Sequence, residues 1–296
     1  MNATAGGAEF RFVDAHVHFY DMGHPRLRYE HWMPDRDHPF LGAQTRKLGS
    51  RNYLAEDFLA DAVPHGMVKA IHVQAAIGSE DSVDETLWLQ EASWRTGVPH
   101  AIVGYVDLRA ADAEAEIERH LESGNLKGIR DFSHGDYLVN DEFQRGFGLL
   151  GRYGLISSVA AQWQDLKKLA SLARAHPDIT ILLDHAGFPS ERTPEYFDNW
   201  RSGIAIAAGV QNIICKISGL GMGDNNWTVE SIRPYVETCI ERFGPQRSLF
   251  ATNWPIDSLW SSYGAVVDAY REITAGFSSD EIDALFAGNA ERIYGI

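Results

Sequence analysis

Eight short apolar, β-branched runs separated by helical patterns constrain this chain more than any other feature. The runs lie at 12–19, 70–76, 101–108, 126–132, 155–161, 180–186, 213–220 and 248–254. Most are continuous rather than alternating, the pattern of parallel strands covered on both faces. Helical patterns occupy 82–96, 111–121, 141–153, 164–175, 193–208, 228–243 and 258–275. Several open on a capping residue: Asp112, Asp141, Thr193, Thr228 or Ser258. From the second run onward a new run starts roughly every 25 to 35 residues, the size of one strand–helix unit. The expected fold is therefore α/β, a (β/α)8 TIM barrel forming a single domain over residues 1–296. An open doubly wound sheet would carry a glycine-rich first turn, and no G-x-G-x-x-G follows the first run.

The bulk composition excludes several partners. A net charge of −15 argues against nucleic acid and against an anionic membrane as partners, and says little about a small-molecule substrate, the partner expected here. Two cysteines, Cys215 and Cys239, give no disulfide framework and suit a reducing compartment. Residues 1–9 lack the basic start and apolar stretch of a signal peptide and are expected to be flexible. No apolar run approaches the ~20 residues that span a bilayer. The expected location is the cytoplasm, and the oligomeric state is open, a homo-oligomer included.

The strand ends carry the chemistry. The first run reads Asp14-Ala15-His16-Val17-His18-Phe19. Side chains alternate along a strand, so Asp14, His16 and His18 are expected on one face. Two adjacent imidazoles can hold a metal ion or polarise a carbonyl oxygen together. A long irregular segment follows, residues 20–51, rich in aromatics and including Trp32. It is expected to lie over the histidines as a lid. Active sites of TIM barrels lie at the C-terminal strand ends. Collected there are Gln74, Arg130, Gln162, His185, Lys216, Asn253, Trp254 and Asp257. Arg130 cannot lose its charge and needs an anionic or carbonyl partner, so it, Lys216, Gln74, Gln162, Trp32 and Trp254 are candidate substrate contacts. Such a set can polarise an ester or lactone carbonyl, stabilise an oxyanion and activate water. No G-x-S-x-G elbow and no P-loop offer another chemistry.

The chain resembles the amidohydrolase superfamily, and within it the amidohydrolase-2 family of TIM-barrel metal-dependent hydrolases. The resemblance is carried by Asp14-Ala15-His16-Val17-His18-Phe19, Gly128-Ile129-Arg130, Leu183-Asp184-His185-Ala186-Gly187, Lys216-Ile217-Ser218-Gly219 and Asn253-Trp254-Pro255, and by the closing stretch from Leu285 to Gly295. It is nearest to a branch of sugar lactonases and the lactonase acting on 2-pyrone-4,6-dicarboxylate. It implies hydrolysis of a cyclic ester. His16, His18 and His185 would be catalytic or would hold a divalent metal, zinc first, and Arg130 would bind substrate. The family usually carries Asp-Trp-Pro at the last strand end, where this chain has Asn253. Asparagine cannot accept a proton at neutral pH and is a weaker ligand. The resemblance thus leaves either one divalent ion or none, since some lactonases of this branch work without metal. It also leaves Asp257 or a histidine as the base, with Asn253 orienting water. Two other readings fit the same residues: a zinc-dependent decarboxylase of an aromatic acid, and a barrel that binds a ligand without catalysis.

Overall fold

The computed structural model describes residues 10–132 and 136–296. The flexible start expected at residues 1–9, and residues 133–135 just after the fourth run, lie outside the described residues. Eight parallel strands pair in sequence order: β1 Phe12–Val17, β2 Met67–Val73, β3 Ala101–Gly104, β4 Leu126–Ile129, β5 Ile156–Val159, β6 Ile181–Leu183, β7 Ile213–Ile217 and β8 Ser248–Phe250. Val17 bridges Trp254, which brings the last strand end back against β1 and nearly closes the barrel. One helix follows each strand: α1 Ala55–Ala62, α2 Val83–Thr96, α3 Ala113–His120, α4 Asp141–Tyr153, α5 Leu166–Ala175, α6 Pro194–Ala208, α7 Val229–Phe243 and α8 Tyr263–Ile273. The chain is a (β/α)8 TIM barrel. No described helix is long and apolar enough to cross a membrane.

Two apolar layers follow from the alternation along each strand. Val13, Ala15, Ile71, Val73, Ala101, Val103, Leu182, Ile214 and Leu249 cluster inside the barrel. Phe12, Ala70, Ile102, Ile181, Ile213, Cys215 and Phe250 belong to the second cluster, shared with the helices. A closing helical segment seals one end. Its Asn289 donates to the carbonyls of Pro245 and Ser248 at the start of β8, and its Ala290 and Tyr294 join the interior cluster. Thr193 and Thr228 cap α6 and α7 as expected. The cap of α4 is Asn140 rather than Asp141, and that of α8 is Ser262 rather than Ser258. Asp112 precedes α3 without a side-chain cap bond.

Every strand ends two to four residues before its apolar run does, and β2 also starts three residues earlier than expected, at Met67. The runs continue because the loops fold back over a buried floor. The expected shared face of Asp14, His16 and His18 is corrected by a bulge in β1. Register passes from Asp14 opposite Ala70 to Val17 opposite His72, three residues against two. The extra residue turns the strand over. Asp14 therefore points to the helix layer, accepting hydrogen bonds from Thr252 and from Tyr263 of α8. His16 turns inward, its Nδ1 3.8 Å from Asp184 on the interior.

Residues 20–51 form the expected irregular segment, clamped at its neck by paired backbone bonds between Tyr20 and Tyr53. Trp32 is buried against Tyr20 and stacked on Tyr29. A Cβ at Gly49 would lie 1.7 Å from the Trp32 carbonyl oxygen, so only glycine allows this close pass. Gly49→Ala is expected to cost about 1–3 kcal/mol and to loosen the segment. The readout is a lower urea midpoint together with faster proteolytic cleavage within 20–51. An unchanged midpoint and cleavage pattern would contradict the clamp.

Candidate active site

The strand ends open into one cavity of about 390 Å3. Its floor carries His18, Gln74, Arg130, Gln162, His185 and Asn253, each placed just past a strand end, and Trp32 enters from the long loop. Four other predicted residues stand off the cavity. His16 is fully buried behind His18 and His185, with its ring 4.9 and 4.6 Å from theirs. Asp257 lies behind Asn253, accepting a 2.8 Å bond from its Nδ2. Lys216, expected at the mouth, is fully buried, with Nζ 3.0 Å from Asp184. Its flexible stem lets the ammonium reach that anion instead of the opening. Trp254, also expected to touch substrate, turns to the helix layer, donating to Asp61 and meeting Tyr263 edge-on.

The histidines are held by specific partners. His18 Nδ1 lies 2.8 Å from the Val73 carbonyl, which makes Nδ1 the protonated nitrogen and leaves the lone pair on Nε2. That Nε2 stands 3.2 Å from His16 Nε2. His185 Nδ1 bonds Ser218 Oγ at 2.9 Å and leaves Nε2 for the cavity. Burial first, and the nearby cations Arg130 and Lys216 after it, push His185 down to about 3. Burial first, then Arg130, takes His18 to about 3 as well. Both imidazoles are neutral at pH 7. His185 and Asn253 sit at φ 53° and 59°, sparsely populated for non-glycine residues and costing on the order of 1–3 kcal/mol each. Gly219 gives His185 its room, since a Cβ there would lie 2.8 Å from Nδ1.

Beneath this floor lies an ionic group that the sequence reading did not assign. Asp184 is fully buried and accepts from Ser158 Oγ at 2.8 and 2.9 Å. Lys216 Nζ and Arg130 Nε lie 3.0 and 3.2 Å from its oxygens. Burial alone would raise its pKa, but Lys216 and Arg130 overturn that and hold the carboxyl well below the usual range. Asp184 thus carries one charge and faces two cations. The signal was present: two cations in apolar strands require a buried anion, and Asp184 stands beside His185.

A divalent ion, as the family resemblance implies, fits the donors here. Two nitrogens bound to one tetrahedral ion at about 2.0–2.1 Å stand about 3.3 Å apart. The His16 and His18 Nε2 atoms have close to that spacing. His16, Asp184 and His185 also offer ligand atoms within 4.8 Å of one another.

Glu85 of α2 shapes one wall. Its Oε1 accepts the amides of both Ala75 and Ala76 at 2.9 Å, fixing the loop that carries Gln74. Burial pushes its carboxyl up to about 7, against the pull of those amides. Between the ordinary carboxylate range and about 7 the folded protein therefore keeps a proton that the unfolded chain has lost. Its contribution to stability falls as pH rises through that window. Glu85→Gln keeps the acceptor and removes the titration. Urea unfolding is expected to show the variant gaining on the parent from pH 5 to pH 8, and parallel curves would contradict it.

Comparison with known proteins places these residues in a family. The protein y4mH of Sinorhizobium fredii is 38% identical over 299 residues, 97% of this chain and 99% of that protein. The L-fucono-1,5-lactonase of Burkholderia multivorans is 28% identical over 302 residues, 96% of each. A crystal structure of an amidohydrolase from Burkholderia multivorans with bound zinc superposes with a TM-score of 0.83 at 26% identity, covering 97% of this chain and 100% of that one. The amidohydrolase family model matches residues 13–296, and the chain belongs to that family.

Proposed function

We propose that the protein hydrolyses a small cyclic ester, a lactone, by attack of water on a polarised carbonyl. One observation carries the reading: the neutral imidazoles of His18 and His185, backed by His16, converge on a single floor with an amide that is unpartnered among the described residues. The Nε2 of Gln74 is buried with no hydrogen-bond partner among the described residues, and Gln74 lines the cavity. A buried donor without an acceptor costs about 1–3 kcal/mol until a ligand oxygen meets it. The full-length similarity to the L-fucono-1,5-lactonase supports an ester rather than another substrate class.

The geometry supports the following roles. Gln74 Nε2 and the Arg130 guanidinium donate to the carbonyl oxygen, where negative charge develops. A divalent ion held by His16 and His18 would, when bound, supply Lewis-acid polarisation and a more acidic water. Asp257 binds the Nδ2 of Asn253 and so fixes which way the amide faces, leaving Oδ1 to accept from the attacking water. His185 Nε2, neutral at pH 7, takes the proton of that water and returns it to the ring oxygen as the carbon–oxygen bond breaks. Gln162 and Trp32 bound the space around the ring.

The test is metal analysis of the purified protein followed by assay on a lactone panel, before and after chelation. The expected result is ring-opened acid from at least one lactone, lost on chelation and restored by zinc. No ring opening of any lactone, with carbon dioxide released from an aromatic acid, would replace this reading with a decarboxylase.

A further inference from the structure

On four of the loops a polar residue comes first and an apolar residue later. Arg130 is followed by Phe132, His185 by Phe188, Ser218 by Met222 and Asn253 by Ile256, and the long loop adds Phe40 and Leu41. The cavity therefore has a polar floor and an apolar ring above it. Phe40 meets Phe188 at 4.8 Å between centroids, Phe132 covers the Arg130 guanidinium at 4.8 Å, and His31 stands between Phe132 and His38 at 5.0 and 5.1 Å. A cavity of about 390 Å3 has room for about thirteen waters at ~30 Å3 each, more than a bare lactone ring displaces.

Two substrate classes meet this ring badly. A polyhydroxylated sugar lactone would set part of its hydroxyls against Phe40, Phe132, Phe188 and Ile256, which offer no side-chain hydrogen bond, with His31, His38 and Tyr137 serving only the rest. Hydroxyls desolvated without partners lose binding. A dicarboxylate would meet Arg130, the one Lys or Arg lining the cavity among the described residues, already beside Asp184. The same wall carries the acidic Asp131.

We infer that the substrate is an uncharged lactone bearing an apolar alkyl or aryl substituent. The ester ring sits on the polar floor and the substituent fills the apolar ring. This rests on the cyclic-ester reading above and names its substrate class. Phe40 is the handle for a test, because it is 45% exposed and its loss leaves the core intact.

The experiment measures kcat and KM for δ-decalactone, δ-valerolactone and glucono-1,5-lactone, each normalised to its rate with hydroxide. The expected result is a preference of about 10-fold or more for δ-decalactone over glucono-1,5-lactone, the scale of discrimination by an apolar pocket. Phe40→Ser should lower kcat/KM for δ-decalactone about fivefold, mainly through KM, and leave δ-valerolactone within about twofold. Equal or better turnover of glucono-1,5-lactone overturns the inference while the lactonase reading stands. A preference for δ-decalactone that survives Phe40→Ser unchanged also overturns it, because the ring would not be its source. Hydrolysis of none of the three overturns the inference together with the reading beneath it.

Discussion

His18→Ala is expected to lower turnover by about 10³-fold while melting within a few degrees of the parent. His18 supplies one of the two Nε2 atoms that face each other at 3.2 Å, and it lines the cavity. Removal of a positioned imidazole from a reacting centre typically costs 10²- to 10⁴-fold. Its structural role is smaller. The described side-chain bonds that go are that contact, the bond to the Asn253 side chain and the one to the Val73 carbonyl, which then faces the cavity and its water. A single hydrogen bond contributes about 0.5–1.5 kcal/mol, and in a protein of this size about 1 kcal/mol shifts Tm by only ~2–4 °C. A variant that melts much earlier, yet keeps its turnover per folded molecule, would show His18 to be a packing residue.

Asp184→Asn reverses that pattern, with a large loss of stability. The amide keeps the volume and removes the charge that two buried cations share. Lys216 has no exposure and Arg130 only 5%. Breaking a buried pair by removing one partner costs about 3–5 kcal/mol, because an uncompensated charge stays inside. Lys216→Met in the same background removes one stranded cation and should recover about half of that loss. Urea unfolding of the parent, the single and the double variant reads this directly. An Asp184→Asn midpoint close to the parent, or a double variant less stable than the single, would mean that the ionic group does not support the floor.

These two residues differ in how visible they were in the sequence. His16 and His18 announce themselves as a pair at a strand end, and His185 as a third, because histidine is rare in apolar runs. The eight strands were legible for the same reason, as unbroken apolar runs at regular spacing. The bulge in β1 was not legible. A period of two cannot show one extra residue, and so Asp14 was grouped with His16 although the two face opposite layers. Lys216 and Trp254 were placed by chain position at the mouth, whereas their long side chains reach buried partners elsewhere. Asp184 was overlooked because its importance comes from Arg130 and Lys216, which stand 54 and 32 positions away in the chain. The apolar ring was hidden because it is assembled from the outer halves of several loops, whose shape no local pattern encodes.

Ring opening in water enriched in oxygen-18 tests the proposed chemistry most directly. With a lactone turned over by the purified protein, one heavy oxygen should enter the carboxylate of the hydroxy acid and none its hydroxyl, at a rate that falls with His18→Ala. Label in the hydroxyl, or a rate indifferent to His18, would contradict water attack on a carbonyl held at this floor.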